Sequence, residues 1–224
     1  MRTILPTIFA ALALQAANNA AADRLDAASD VLTDMMRASD KGIPQDLLNK
    51  ADCVVIVPNL KKAGFIVGAK YGRGFAMCRR PGGTGWTAPA SIRVEGGSFG
   101  LQIGGTEQDI VLLVMNQSGM KHLLADKFTL GGDASAAAGP VGREASAQTD
   151  AALHAEMLSY SRSRGVFGGL TLEGATLRPD RDANKELYGS DLDNKAILQG
   201  DVKTPAAAEK LEQLLDKNSS RRTN

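Results

Sequence analysis

Ser98 sits in Gly96-Gly97-Ser98-Phe99-Gly100, the G-x-S-x-G spacing with which hydrolases hold a nucleophilic serine on a strained strand-to-helix turn. The stretch that follows, FGLQIGG, alternates and carries glycines, so the helix required by that chemistry is missing. A chain with 24 glycines also produces such matches by chance, which leaves a serine hydrolase acting through Ser98 as the third-ranked reading. The two imidazoles, His122 and His154, stand in no ligand-spaced cluster with cysteine or carboxylates, so both are expected to be structural or solvent-facing. Asp180, Asp182 and Asn184 begin like a calcium loop, but the glycine and the closing glutamate miss their offsets. Turn chemistry, with side chains bonding nearby backbone amides, is the expectation for Asp182 and Asn184. The residues thus predict no catalytic group, no metal and no cofactor.

Cations remain. Lys61 and Lys62 end one short apolar run, Arg79 and Arg80 end another, and Trp86 follows in PGGTGW. If Cys53 to Arg80 is a three-stranded antiparallel meander, the four cations converge at one end of the sheet beside an amphipathic indole. Anionic lipid headgroups select such a cluster, at about 1 kcal/mol for each nearby Lys or Arg. Arg162 and Arg164 offer a second cationic contact. The same meander, with Pro58 pairing near Phe65 and Lys70 near Gly74, sets Cys53 and Cys78 on strands one and three at opposite ends. That exceeds the roughly 7 Å between Cα atoms that a disulfide tolerates, so two free buried thiols are predicted.

These residues need elements to carry them. Leu25, Ala28, Leu32, Met35 and Met36 recur at helical spacing over 24–37, with Asp23, Asp26, Asp30 and Asp34 facing water. A short helix is expected over Pro44–Ala51, burying Leu47 and Leu48. From Cys53 the grammar is that of strands, continuing at 90–94, 99–103 and 109–115, the last nearly continuous in apolar residues and therefore central. Ser118 is expected to cap a helix reaching about Lys127, residues 131–147 to form a small-residue loop, and strands to resume near Ala155. Tyr160–Gly189 has the turn glycines of a tight β-meander, Gly165, Gly168, Gly169 and Gly174. A closing helix starts at Pro205 behind Thr204 and buries Leu211, Leu214 and Leu215.

Arg2, the apolar run 4–17 and the small residues Ala20-Ala21-Ala22 read as a secretory signal cleaved before Asp23. The expectation is an exported protein of the periplasm or cell envelope, soluble after cleavage, with one domain over 23–217 and a polar tail at 218–224. Losing Arg2 leaves 25 basic against 25 acidic side chains. Zero net charge and a single Trp argue against nucleic acid as a partner.

Four segments then point to a family. WTAPASIRVEGGSFGLQIGGTEQDIVLLVMN (86–116), TLGGDASAAAGPVGR (129–143), YSRSRGVFGGLTLEGATL (160–177) and DANKELYG (182–189) resemble the SYLF domain, also known from yeast actin-patch proteins. The resemblance implies a non-enzymatic lipid-binding domain, since animal and yeast relatives bind phosphoinositides and fungal ones also bind and bundle actin. Animal relatives insert a basic amphipathic N-terminal helix; here residues 23–37 hold four Asp against Arg24 and Arg37, which departs from that pattern. The fold expected is α+β: an antiparallel, glycine-rich sheet or partly closed barrel with N- and C-terminal helices packed on it. The function expected is binding of anionic phospholipid through Lys61, Lys62, Arg79, Arg80, Trp86, Arg162 and Arg164. An envelope structural or protein-interaction module is the alternative.

Overall fold

Cys53–Cys78 forms one strand of 26 residues, β1, and Ala90–Val114 one of 25, β2. The computed structural model describes residues 6–38, 42–141, 154–163, 166–169 and 172–221. At about 3.3 Å per residue a straight β1 would run to about 85 Å, longer than a domain of this size is wide. The ribbon of β1 and β2, antiparallel from Cys53–Val114 to Ala76–Ala90, is therefore folded in half. Three contacts mark the fold: the Arg79 amide donates to the Asp52 carbonyl at 2.8 Å, the Cα atoms of Cys53 and Cys78 are 3.9 Å apart, and Gly74 lies against Ile56. A Cβ on Gly74 would stand 2.0 Å from the Ile56 carbonyl oxygen, so only glycine permits this approach.

The first half of β1 thus lies directly against its second half. That corrects two expectations. The predicted meander placed a return strand between them, whereas residues 61–71 leave and come back as a single bend still paired to β2. Cys53 and Cys78 consequently face each other and are joined by a disulfide rather than being free thiols. Alternating apolar residues read the same in either arrangement, because alternation reports which faces are buried and not which strand is the neighbour.

The first half of β2 pairs outward with β7 (Ala175–Pro179), and β7 with β3 (Phe128–Thr129). The second half pairs with β5 (Met157–Ser163), which carries β6 (Val166–Gly169) and, in parallel, β4 (Ala136–Ala138). Together they make a curled mixed sheet, a half-barrel, with helices at both chain ends: the expected α+β architecture. Tyr160–Gly189 is only partly a meander. β5 and β6 form a hairpin, but β7 crosses to the far flank of β2, and Arg181–Tyr188 is a helix, here α4.

Both faces of the sheet are covered. Ile110, Leu112 and Val114 join one apolar cluster with Ile197 and Leu198, while Val111 and Leu113 join a second with Leu25, Leu32, Leu48 and Leu215. The second cluster is built by α1 (Pro6–Arg37), α2 (Gln45–Lys50) and α6 (Glu209–Ser219), the last entered through a 3-10 turn at Ala206–Ala208. Leu25, Ala28, Leu32 and Met35 bury the predicted stripe of α1, and Met36 at its edge is partly buried. At about 1.5–3 kcal/mol for each large apolar side chain, this stripe fixes the helix on the sheet. α3 (Gln117–Leu123) is capped by the Asn116 side chain, which accepts the Gly119 amide at 3.0 Å; Ser118 lies inside the helix and its hydroxyl donates to Glu156 instead. Asp180 caps α4, and Asn184 within it is fully buried. Asn184 accepts the Ser91 amide at 2.7 Å and donates to Asn194, the cap neighbour of α5 (Asn194–Gln199), so its bonds cross the fold rather than closing a local turn.

Candidate functional site

Pro58 and Asn59 interrupt the pairing of β1 with β2: Val57 faces Ile110 and Leu60 faces Gln108, leaving two residues of β1 opposite Asp109. Proline supplies no ladder donor, and Asn59 takes a left-handed conformation, φ 51°. Its freed amide donates to Asp109 Oδ1 at 3.0 Å. Asp109 shares a strand face with Val111 and Leu113, the face covered by α1, and its register partner on β5 is Arg162. Arg162 Nε and Nη2 donate to Asp109 Oδ2 at 2.8 and 2.6 Å, and Nη1 reaches Asp34 on α1. Burial works against the Arg162 charge; the bonds and charges of Asp109 and Asp34 outweigh it and raise its pKa.

Just beyond the bulge β1 presents Lys61 and Lys62. Asn59, Lys61, Lys62, Gly105, Glu107, Gln108, Asp109 and Arg162 line an open cleft of about 550 Å³. Lys61 pairs with Glu107 at 3.5 Å, with both side chains well exposed, a contact worth at most about 1 kcal/mol. Lys62 is half-buried, and among the described residues it has no carboxylate within ion-pair distance. The fold of β1 sets it near Lys70; burial first, and then the Lys70 charge, depress its pKa. Three cations therefore line the cleft against two carboxylates, a surplus of one positive charge along the lining.

The remaining predicted contacts lie elsewhere. Arg79 and Arg80 are at the far end of the folded ribbon, beside the cysteines, because β1 bends once and not twice. Four cations therefore do not converge. Trp86 is wholly buried, its indole N–H donating to the Ser219 carbonyl at 2.8 Å. Arg79 is buried over the indole, 3.9 Å from the ring centroid, and donates to the carbonyls of Leu48, Ala51 and Ser219 and to the Ser219 hydroxyl. Arg80 pairs with Asp201 at 3.1 Å and Glu212 at 3.0 Å. Arg79 and Trp86 are thus buried and fasten the ends of α2 and α6 to the sheet, while Arg80, partly exposed, pairs across to α6. Arg164 lies outside the described residues. The sequence singles out Lys61 and Lys62 as one cluster and Arg162 as a separate contact, and the fold brings these three to one cleft; it does not single out Asn59, Asp109 or the neighbouring Lys70, for which the Pro58-Asn59 pair inside a strand pattern is the available signal.

Ser98 lies within β2, paired with Gly68, and strand continues through Phe99, whose partner is Val67. The turn and helix of a nucleophile elbow are not formed there. His122 is half-buried, 3.7 Å from Glu156, and His154 is exposed. Burial would raise the Glu156 pKa, but hydrogen bonds from Ser118 and Ser135 prevail and lower it. Among the described residues no three His, Cys, Asp or Glu side chains are grouped to hold a metal, and no helix is long and apolar enough to cross a membrane.

Comparison with known proteins adds independent support for a binding module. A family model described as Ysc84, Las17-binding protein actin regulator, matches residues 95–218. An SH3 domain-containing protein of Schizosaccharomyces pombe is 39% identical over 177 residues, covering 78% of this chain and 41% of the relative. LAS seventeen-binding protein 3 of Saccharomyces cerevisiae is 35% identical over 192 residues, covering 84% and 41%. The SH3 domain-containing YSC84-like protein 1 of Bos taurus is 34% identical over 178 residues, covering 79% and 52%. The chain thus spans about two fifths to a half of the length of these relatives, whose names describe binding and SH3-containing proteins rather than enzymes.

Proposed function

This chain belongs to the Ysc84, or SYLF, family, and from that premise we propose that it binds anionic phospholipid reversibly and without chemistry. It is a binding or interaction module by family. The finer reading places a phosphate-bearing headgroup in the cleft, contacted by Lys61, Lys62 and Arg162, with Lys70 adding charge beside Lys62. One observation carries it: Lys61, Lys62 and Arg162, from two distant parts of the sequence, line one open cleft in excess over its carboxylates. The site of action is the exported face of the cell envelope, reached after removal of residues 1–22.

Co-sedimentation with vesicles of phosphatidylglycerol in phosphatidylcholine, and of phosphatidylcholine alone, tests this reading. Expected are binding to the anionic vesicles only, weakening with added salt, and its loss in Lys61→Glu with Lys62→Glu but not in Lys121→Glu on α3. Equal binding to both vesicles would sink it. A protein partner is the second reading, favoured by relatives named for binding Las17; capture of one partner in detergent, with no vesicle binding, is its signature.

A further inference from the structure

We propose that Asp34 is a built-in competitor for the anion site, occupying the guanidinium edge of Arg162 that a bound phosphate group would use. The inference rests on the headgroup reading of the cleft. Arg162 commits Nε and Nη2 to Asp109, which is 8% exposed, also holds the Asn59 amide and cannot be given up without burying a lone charge. Nη1 is different: its partner Asp34 has a side chain 46% exposed, so water can replace Arg162 around that carboxylate at little cost. Asp34 is also set apart on its own helix. Asp26 and Asp30 are taken by Lys210 of α6, at 3.2 and 3.3 Å, while Asp34 pairs with Arg162 of the sheet, as no other α1 aspartate does among the described residues.

Charge gives the direction. The lining carries three cations and two carboxylates, a surplus of one, and Asp34 on Arg162 cancels that surplus. An arriving phosphate must therefore displace Asp34 from Nη1 or bind to a neutralised site. Displacement does not release α1, because Leu25, Leu32 and Met35 remain buried; it loosens only the helix end around Asp34. By linkage, whatever Asp34 contributes to the helix end is subtracted from anion affinity.

The test measures dissociation constants for inorganic phosphate in solution and for phosphatidylglycerol-containing vesicles. Asp34→Asn is expected to bind both about two- to fivefold more tightly, the range spanned by a half-exposed ion pair. Asp34→Glu restores the wild-type value. Asp23→Asn, with the same charge change on the same helix but no Arg162 contact, controls for general electrostatics and should change little. Hydrogen exchange of amides near Asp34 should quicken in the wild type on phosphate saturation and not in Asp34→Asn. Unchanged or weaker binding by Asp34→Asn, while the wild type still prefers anionic vesicles, overturns this inference and leaves the headgroup reading standing. Absence of binding by both proteins to both probes overturns the headgroup reading, and this inference with it.

Discussion

Replacing Arg79 by Ala should unfold the domain far more readily while leaving the cleft around Lys61, Lys62 and Arg162 unchanged in any folded fraction. The guanidinium donates to the carbonyls of Ala51 at 3.3 Å, Leu48 at 3.2 Å and Ser219 at 2.5 Å, all in a buried setting. Charge-assisted bonds contribute about 1.5–3 kcal/mol each, but two of the acceptors keep other donors: the Trp86 indole on Ser219 and the Ala51 amide on Leu48. The Ala51 carbonyl loses its Arg79 donor, and the Ser219 hydroxyl, which also accepts from Arg79, can turn to donate elsewhere. Adding about 1–2 kcal/mol for a desolvated contact with the Trp86 ring gives a total near 4 kcal/mol. For a domain of this size that lowers Tm by about 8–16 °C. Urea denaturation followed by Trp86 fluorescence reads the loss directly, and Arg79→Lys, which keeps charge but not the fork, should recover less than half of it. A loss below about 1 kcal/mol for Arg79→Ala would refute the reasoning, since a solvent-exposed arginine behaves that way.

Other outcomes follow from the same geometry. The Cys53–Cys78 disulfide spans 25 residues, so Cys53→Ser with Cys78→Ser should cost about 3.5 kcal/mol in urea unfolding; thiol titration of the wild type in denaturant should find no free thiol, and finding two would refute the pairing. Gly74→Ala drives a methyl into the Ile56 carbonyl at 2.0 Å and should destabilise by at least about 2–3 kcal/mol or prevent folding, as read by expression and circular dichroism. Asp216 has its pKa raised, first by burial and then by the charge of Glu212. A carboxyl raised on folding weakens the folded state above its unfolded pKa and the deficit fades as pH falls. Asp216→Asn should therefore raise the urea midpoint at pH 7, and the gain should shrink on acidification through the carboxylate range.

What could be read in the chain was what depends on neighbours in sequence. The α1 stripe and the two-sided apolar run 109–115 follow from period alone; Leu25, Ala28, Leu32 and Met35 and residues 109–114 are buried, while Met36 and Met115 are partly so. Strand partners are another matter. The pattern of 53–78 fits equally a three-stranded meander and a ribbon bent once, and the choice decides whether Cys53 meets Cys78 and whether Arg79 stands with Lys61. Arg79 looks like a surface charge in the sequence because its acceptors lie up to 140 residues away, at Ser219. Asn116 and Ser118 are both good caps by type, and only the backbone shows that Asn116 stands at the helix start. Lys61, Lys62 and Arg162 reached one cleft although the geometry that first grouped two of them was wrong.

The ribbon of β1 and β2 also fixes an order of events during synthesis. Its rungs lengthen steadily in sequence separation, from 14 residues at Ala76–Ala90 to 61 at Cys53–Val114, so each closed rung makes the next a short closure and pairing zips outward from the connection. A chain made from its N-terminus, however, presents all of β1 before the first residue of β2 exists, and a long unpaired apolar strand is an aggregation template. Lys61, Lys62 and Lys70 interrupt that strand near its middle, where charge most effectively blocks pairing with another nascent copy. The lysines that line and flank the cleft in the finished domain thus guard the chain before it has a cleft at all.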